Sequence, residues 1–139
     1  MTLQQVLLVR ESFHKLLPAR ETCAEMFYRR LFELDPSLRR LFKGDLKAQG
    51  EKFFLMLEII VGGLHRFGDV VSEVRALGQR HVEYGVLPSH YPTVREALLW
   101  MVQEVLGDEF TDETRMAWIE MYDLVSRAMI ELSSGTDGS

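Results

Sequence analysis

The spacing of apolar residues constrains the fold of this chain more than any other feature. They recur at steps of three and four residues along almost its whole length, as on one face of a helix. The first such stripe consists of Val6, Val9, Phe13 and either Leu16 or Leu17, and it ends at Pro18. No segment alternates apolar and polar residues as a half-buried strand would. The pattern therefore predicts an all-α protein.

The predicted helices differ widely in length. Thr2 and Gln5 have the spacing of a capping box at the start of the first helix, and Asp35 followed by Pro36 is typical of a helix start. The later helices are expected at 21–34, 36–41, 45–64, from 69 or 72 to 83, 91–106 and 111–132. Helices of an up-and-down bundle are matched in length, whereas this set is typical of helices that cross at steep angles around a central element.

Length and composition indicate one soluble domain. The chain has 139 residues, of which 47% are hydrophobic and 27% charged, and a single cysteine, Cys23. This excludes a disulfide framework and a cysteine-rich metal cluster, and it leads us to expect a cytoplasmic location. We expect a folded domain at 1–132 and a disordered tail at 133–139, which has no apolar anchor.

Charge and motifs exclude several functions. Asp and Glu outnumber Lys and Arg by 21 to 16, and the net charge of −5 disfavours nucleic acid and anionic membranes as partners. The densest apolar region, 53–64, is too short to span a bilayer, and the N-terminus lacks the features of a secretory signal. No phosphate-binding glycine loop, zinc-ligand cluster or nucleophile elbow occurs.

Four histidines are the remaining candidates for chemistry. His14, His65 and His90 fit structural roles best, on the surface, at a helix end and at a helix start, respectively. His81 continues an apolar stripe one turn after Leu77, so its ring is expected to face the interior. A buried imidazole needs a polar partner, and a metal ion would supply one.

Several segments, in order along the chain, carry a resemblance to a known family. They are Phe27 to Phe32, Leu41-Phe42, Gln49 to Phe53 and Leu77 to Tyr91. This ordered set resembles the bacterial single-domain globins, which are similar to the globin domain of flavohaemoglobins and to neuroglobin-like bacterial haemoglobins, over about residues 3 to 132. The resemblance implies a globin fold of about seven to eight helices packed around haem b. A haem-free helical protein or a sensor module that kept only the fold is the alternative.

The resemblance assigns the proximal side of the cofactor. It makes His81 the ligand of the haem iron, since globins hold haem through a proximal histidine. Phe42 is implied as the residue that wedges against the porphyrin edge, and Leu77 and Tyr91 as further cofactor-binding residues.

The resemblance also assigns the distal side. Gln49, Phe53 and Met56 share one face of the long helix and would cover the haem, with the amide near the entrance. Lys52 and Arg80 would pair with the anionic propionates, and simple solvent exposure is the alternative for both.

Tyr28 and Gln49 decide which function the resemblance favours. Dioxygen on ferrous haem has partial superoxide character, so a phenol and an amide aimed at it would donate hydrogen bonds worth about 1.5–3 kcal/mol each. Tight binding of dioxygen, with NO and CO as other ligands, is the expected function, and surface positions for both side chains are the alternative. A second possibility is a nitric oxide dioxygenase that works with a separate NAD(P)H-dependent reductase.

One element of the flavohaemoglobin pattern is out of register. In that family a tyrosine ten residues after the proximal histidine and a glutamate late in the last helix surround this histidine. Tyr91 has the expected position, but the glutamate would fall at about Ser133, and Glu131 lies on a different face of the helix. Strong peroxidase-like activation is therefore not expected, and the chain stops where the reductase domain of that family would begin.

Overall fold

A computed structural model describes residues 1–137, except for the side chains of residues 69, 71 and 131–137. Within this range it contains six α-helices and no strand, so the all-α class is confirmed. The helices are α1 (Leu3–Leu16), α2 (Arg20–Leu34), α3 (Leu46–Gly62), α4 (Phe67–Glu83), α5 (Tyr91–Leu106) and α6 (Asp112–Asp137). Short 3-10 helices lie at Leu17–Ala19, Pro36–Leu41, Leu64–Arg66, Pro88–His90 and Gly107–Glu109. The α-helix count is lower than the expected seven to eight because the short segment after Asp35 adopts the tighter 3-10 geometry.

The predicted helix starts are formed by side-chain caps. The hydroxyl of Thr2 accepts a hydrogen bond from the Gln5 backbone N–H at 3.1 Å, and the Gln5 side chain accepts one from the Thr2 N–H at 2.9 Å. The Asp35 carboxylate accepts a hydrogen bond from the Ser37 N–H at 3.0 Å. Asp45 caps α3 in the same way. Each cap satisfies a backbone donor that the first helical turn leaves free.

Two helix boundaries differ from the prediction. α4 begins at Phe67 rather than at 69 or 72, because a 3-10 turn joins it directly to α3 and Gly68 lies inside the helix. Gly63 allows this tight connection, since a Cβ there would collide with Val70. α6 continues to Asp137, past the predicted end at 132. Residues 138–139 lie outside the described range, and disorder of the tail stays a prediction.

The helices pack in pairs that enclose one core. α2 packs against α5 and α3, while α6 packs against α4 and α1. Trp118 on α6 is fully buried, and its indole N–H donates a hydrogen bond to the Ser12 hydroxyl on α1 at 2.8 Å. By contrast, α3 and α4 make few contacts with each other. These are the two helices that carry the predicted distal and proximal residues.

The crossing of α2 and α3 depends on a glycine. A Cβ at Gly50 would lie 2.8 Å from the Cβ of Ala24 and 3.9 Å from Cε2 of Tyr28. Cβ atoms do not normally approach so closely, so only glycine allows α3 to lie this near to α2. The crossing thereby sets the position of α3 directly over Tyr28. None of the helices in the described part of the chain is long and apolar enough to cross a membrane.

Candidate functional site

His81 lies in the last turn of α4, where the helix ends at Glu83. Its Nδ1 is 2.8 Å from the carbonyl oxygen of Leu77, one turn earlier. Because a carbonyl only accepts hydrogen bonds, Nδ1 must carry the proton, and Nε2 is left with a free lone pair. This is the form of imidazole that binds metals.

The surroundings of His81 favour the neutral ring. Burial lowers the pKa of His81, the hydrogen bond to the Leu77 carbonyl partly offsets this effect, and the charge of Arg80 lowers the pKa further. The chain turns away directly after α4, with Gly85 at a φ of +90°. A glycine adopts this conformation without strain. The turn ends the helix just after the imidazole.

Tyr91, at the start of α5, lies beside His81. The two rings stack with centroids 6.4 Å apart and an interplanar angle of 28°. The imidazole directs its Nδ1 hydrogen bond to Leu77 rather than to Tyr91. The Tyr91 carbonyl accepts a hydrogen bond of 2.7 Å from the hydroxyl of Tyr122 on α6. Residues of α5 and α6 therefore support the proximal side together with α4. The side chain of Glu131 lies outside the described residues.

Tyr28 on α2 is 5% exposed and is the most deeply buried of the predicted distal residues. Burial raises the pKa of its phenol well above the usual range, and a hydrogen bond with the Gln49 side chain partly offsets the increase. The phenol therefore stays protonated and can act as a hydrogen-bond donor at neutral pH. The structure brings these two predicted residues together, although Gln49 itself is exposed.

Aromatic rings surround Tyr28 on several sides. Phe42 meets it edge to face at a centroid distance of 5.3 Å, and Phe53 lies 6.3 Å away. Phe27 stacks on Phe53 with ring centroids 4.5 Å apart, a contact between two helices that the sequence does not predict. Phe42 follows the 3-10 helix Pro36–Leu41, and Leu41 lies next to Gly85 at the end of α4. The corner that carries Phe42 is thus close to both the distal and the proximal helices.

The other predicted cofactor residues fall into two groups. Met56 and Leu77 are half-buried, as are Phe42 and Phe53, so each offers apolar surface. Lys52 and Arg80 are exposed. Neither of these two cations forms an ion pair with another residue that the structure describes. Their charges are available to an anionic group.

The donor set identifies the kind of metal group that fits. Among the described residues there is no group of three or more His, Cys, Asp or Glu side chains that could hold a metal ion. A metal bound through His81 alone must bring most of its own ligands, as iron in a porphyrin does. The apolar rings and the single imidazole fit such a group. The two described grooves, of about 330 Å³ and about 770 Å³, do not include His81, although Tyr91 lines the first and Tyr28 lines the second.

The remaining histidines have structural surroundings. His14 is exposed. Nδ1 of His65 lies 2.6 Å from the guanidinium of Arg10, which also donates a hydrogen bond to the carbonyl of Gly62 at the end of α3. Nδ1 of His90 accepts a hydrogen bond from the Leu87 backbone N–H at 3.0 Å, so it caps the short helix before α5. The Arg10 contact could not be predicted from the sequence because it joins residues far apart in the chain.

Known sequences resemble this chain over most of its length. A family model described as Globin matches residues 25–129. A flavohemoprotein of Xylella fastidiosa is 31% identical over 127 residues, which covers 89% of this chain and 32% of that protein. Leghemoglobin-1 of Lupinus luteus is 32% identical over 133 residues, which covers 86% of each chain. The chain thus spans about a third of the length of the flavohemoproteins it matches.

Solved structures resemble it as well. One is described as an engineered carbene transferase and putative nitric oxide dioxygenase from Rhodothermus marinus; it aligns with a TM-score of 0.88 at 27% identity, over 99% of this chain and 96% of that one. A bacterial globin from Campylobacter jejuni aligns with a TM-score of 0.87 at 20% identity, over 99% of this chain and all of that one. The second likeness concerns the fold alone.

Proposed function

The chain belongs to the globin family, and on this premise we propose that it is a haem b protein that binds dioxygen tightly, with NO and CO as alternative ligands. When bound, haem supplies a ferrous iron site for these diatomic ligands. The chain's own residues supply the iron ligand, the polar groups that stabilise the diatomic molecule, and the apolar walls. The pairing of Tyr28 with Gln49 is the observation that carries the proposal.

Tyr28 and Gln49 act as hydrogen-bond donors to a ligand that carries partial negative charge. The Tyr28 phenol is buried and protonated, so its O–H is available where water is largely excluded. A hydrogen bond to a charged group is worth about 1.5–3 kcal/mol, which corresponds to about ten- to a hundredfold in affinity. Such donors raise the affinity for dioxygen more than the affinity for CO, because bound CO is less polar. Slow release of dioxygen follows, which suits oxygen chemistry or scavenging better than bulk delivery.

His81 anchors the cofactor through Nε2. Its orientation is supported by the hydrogen bond to Leu77 and by the Tyr91 ring. The absorption spectrum of the purified protein tests this role. We expect a strong haem band in the native chain and its loss in His81→Ala, whereas His14→Ala, a change at an exposed histidine, keeps it. Haem binding that survives His81→Ala unchanged would refute the assignment.

Oxygen dissociation kinetics test the distal pair. We expect Tyr28→Phe and Gln49→Leu each to speed oxygen release by about tenfold or more, with a smaller effect on CO release. Tyr84→Phe removes a hydroxyl from a side chain that is 62% exposed and is the matched control. Equal release rates in Tyr28→Phe and in the native chain would remove the argument for tight binding.

Nitric oxide dioxygenation is a second candidate function. It is favoured by the likeness to flavohemoproteins and to a structure described as a putative nitric oxide dioxygenase. The net reaction joins NO, dioxygen and one electron to give nitrate. The electron would come from a separate NAD(P)H-dependent reductase. We expect one nitrate for each NO consumed, over many turnovers, when NADH and a reductase are added, and no more than one turnover without them. A single turnover even with the reductase and NADH would favour oxygen binding alone.

We further propose that Lys52 and Arg80 bind the haem propionates. Both are exposed and have no ion-pair partner among the described residues. Transfer of haem to an acceptor apoprotein tests this, since Lys52→Ala and Arg80→Ala should each speed the transfer and the exposed Lys43→Ala should not. A cytoplasmic location is also proposed, because the free thiol of Cys23 suits a reducing compartment.

A further inference from the structure

Three exposed apolar side chains lie directly after His81 in the chain. They are Val82, Tyr84 and Leu87, which are 54%, 62% and 56% exposed, and we call them the proximal patch. The segment that carries them turns back onto the end of α4, because the Val86 N–H donates a hydrogen bond of 2.8 Å to the His81 carbonyl. The backbone of the proposed iron ligand thus leads directly into an exposed apolar surface.

A basic corner borders the proximal patch. It consists of residues 39–47, which run from the end of the 3-10 helix Pro36–Leu41 into α3. Its one acid, Asp45, caps α3 by accepting a hydrogen bond of 3.0 Å from the Lys47 backbone N–H. Its cations are all exposed, and none forms an ion pair with another residue that the structure describes; they are Arg39, Arg40, Lys43 and Lys47. The corner is therefore positive on a chain whose net charge is −5.

Two observations place the basic corner beside the proximal patch. A Cβ added at Gly85, in the middle of the patch segment, would lie 3.5 Å from Cδ2 of Leu41. Arg40 and His90 both lie within electrostatic range of the Asp35 carboxylate. His90 belongs to the short helix that follows the patch. Cations therefore flank an apolar centre, as in protein interfaces with an apolar core and a polar rim.

Two acidic side chains also lie in this region. The Asp35 carboxylate accepts hydrogen bonds from the N–H and the hydroxyl of Ser37, at 3.0 Å and 2.6 Å. Glu83 is exposed and is the one acid between residues 80 and 90. An acidic partner would be attracted by the basic corner and repelled by Glu83 alone within the patch segment, so the two regions give opposite tests of the same surface.

The position of this surface indicates which kind of acidic partner it fits. A long polyanion would also meet the acidic remainder of the chain, whereas a compact acidic face would meet the corner alone. The proposed function requires ferrous iron, and one electron restores it after the iron has been oxidised. Contacts between electron-transfer proteins are small and transient, so a few apolar side chains beside a charged rim are sufficient for one.

We propose that the proximal patch and the basic corner form the docking surface for an acidic one-electron donor protein. The proposal rests on the proposed function, because only a haem-loaded chain needs the electron. The donor loses one electron, ferric iron gains it and becomes ferrous, and no proton or group is transferred. Arg40 and Lys43 attract the acidic face of the donor, and the proximal patch excludes water from the contact next to His81.

Stopped-flow reduction of the ferric, haem-loaded protein tests the charges. The donor is a reduced plant-type [2Fe–2S] ferredoxin, chosen as an acidic one-electron carrier. We expect the second-order rate to fall about tenfold or more between about 10 mM and about 0.3 M salt. Arg40→Glu and Lys43→Glu should each slow the rate at low salt, by about tenfold when combined, and Glu83→Gln should raise it.

Arg20→Glu is the matched control for the single charge reversals. Arg20 is an exposed cation at the start of α2, about 20 Å along that helix from the end that leads to the basic corner. The substitution changes the net charge as much as Lys43→Glu does, so it separates the effect of the corner from that of total charge. Equal rates in the native chain and in Arg40→Glu/Lys43→Glu, or equal slowing by Arg20→Glu and Lys43→Glu, would overturn the proposal.

A binding measurement locates the surface without electron transfer. Oxidised ferredoxin is added at low salt to the isotope-labelled, CO-bound ferrous protein, and the backbone N–H signals are followed by NMR. We expect shifts at the proximal patch and at Arg40, none at Met116 on α6, and their loss in Leu87→Glu but not in Leu3→Glu, whose side chain is 71% exposed. Shifts confined to other residues of a haem-loaded chain would overturn the docking surface alone, whereas a chain without a haem band would refute the proposed function.

Discussion

Exchange of the small residues at the crossing of α2 and α3 gives a direct test of how the structure positions Tyr28. Gly50→Ala adds a methyl group 2.8 Å from the Cβ of Ala24, where a carbon pair normally needs about 3.5–4.0 Å. The two helices must separate by close to 1 Å, or the residues must shift. Ala24→Gly removes the opposing methyl group, so the double variant presents the same single methyl at this crossing as the native chain.

The expected magnitude follows from two opposing effects. Overpacking of a tight contact costs about 1–3 kcal/mol. Replacing glycine by alanine inside a helix returns about 1 kcal/mol, so Gly50→Ala alone should lower the unfolding free energy by about 0–2 kcal/mol. In a double-mutant cycle the helix-propensity contributions cancel, and the coupling energy isolates the steric contact. We expect a coupling of about 1–3 kcal/mol in favour of the double variant.

Urea unfolding followed by far-UV circular dichroism measures this coupling. All four proteins should be compared in the same haem state and at one concentration, because a ligand bound to the folded form adds to its stability. The haem-loaded Gly50→Ala protein should also release dioxygen faster. The added methyl group displaces α3 from α2, and Gln49 on α3 then moves away from Tyr28 on α2. A coupling energy below about 0.5 kcal/mol would show that the helices adjust freely and would refute the steric reasoning.

Three further predictions concern stability. Ser12→Ala leaves the buried indole N–H of Trp118 without its acceptor and should cost about 1–3 kcal/mol in urea unfolding, whereas an unchanged midpoint would contradict the hydrogen bond. Gly85→Ala places a side chain at a φ of +90° and should cost about 1–2 kcal/mol, with Gly44→Ala in open space as its control. Burial raises the pKa of Tyr122 above the ordinary value of 10, so the folded protein keeps a proton that the unfolded chain releases. Stability should therefore fall as the pH rises above about 10, and Tyr122→Phe should reduce this slope by up to about 1.4 kcal/mol per pH unit; an equal slope in both proteins would contradict this.

The sequence was most informative where short-range chemistry determines the structure. The capping residues Thr2 and Asp35 mark helix starts because each cap acts within three residues of chain. The helical spacing also predicted that His81 faces the interior, and its ring is half-buried. The placement of α4 was less accurate, since Gly68 resembles a helix break and only the contact between Gly63 and Val70 shows where the turn lies.

Contacts between distant parts of the chain could not be predicted from the sequence. Tyr122 supports Tyr91 across two helices, and nothing in the local pattern of α6 distinguishes it from an ordinary core tyrosine. The stacking of Phe27 on Phe53 likewise depends on how closely α2 and α3 cross. The resemblance to globins supplied the roles of Tyr28 and Gln49, which spacing alone would have left as surface residues.

The packing of α4 also affects when the site can be assembled during synthesis. α4, which carries His81, packs mainly against α6 and makes few contacts with α3. α6 lies about thirty residues later in the sequence, so a growing chain that has only just exposed α4 has no partner to hold that helix in place. Co-translational haem capture by a single histidine on an unsupported helix would be weak. Cofactor insertion should therefore follow the synthesis of α6, and ribosome-bound chains that stop before Asp112 should fail to retain haem.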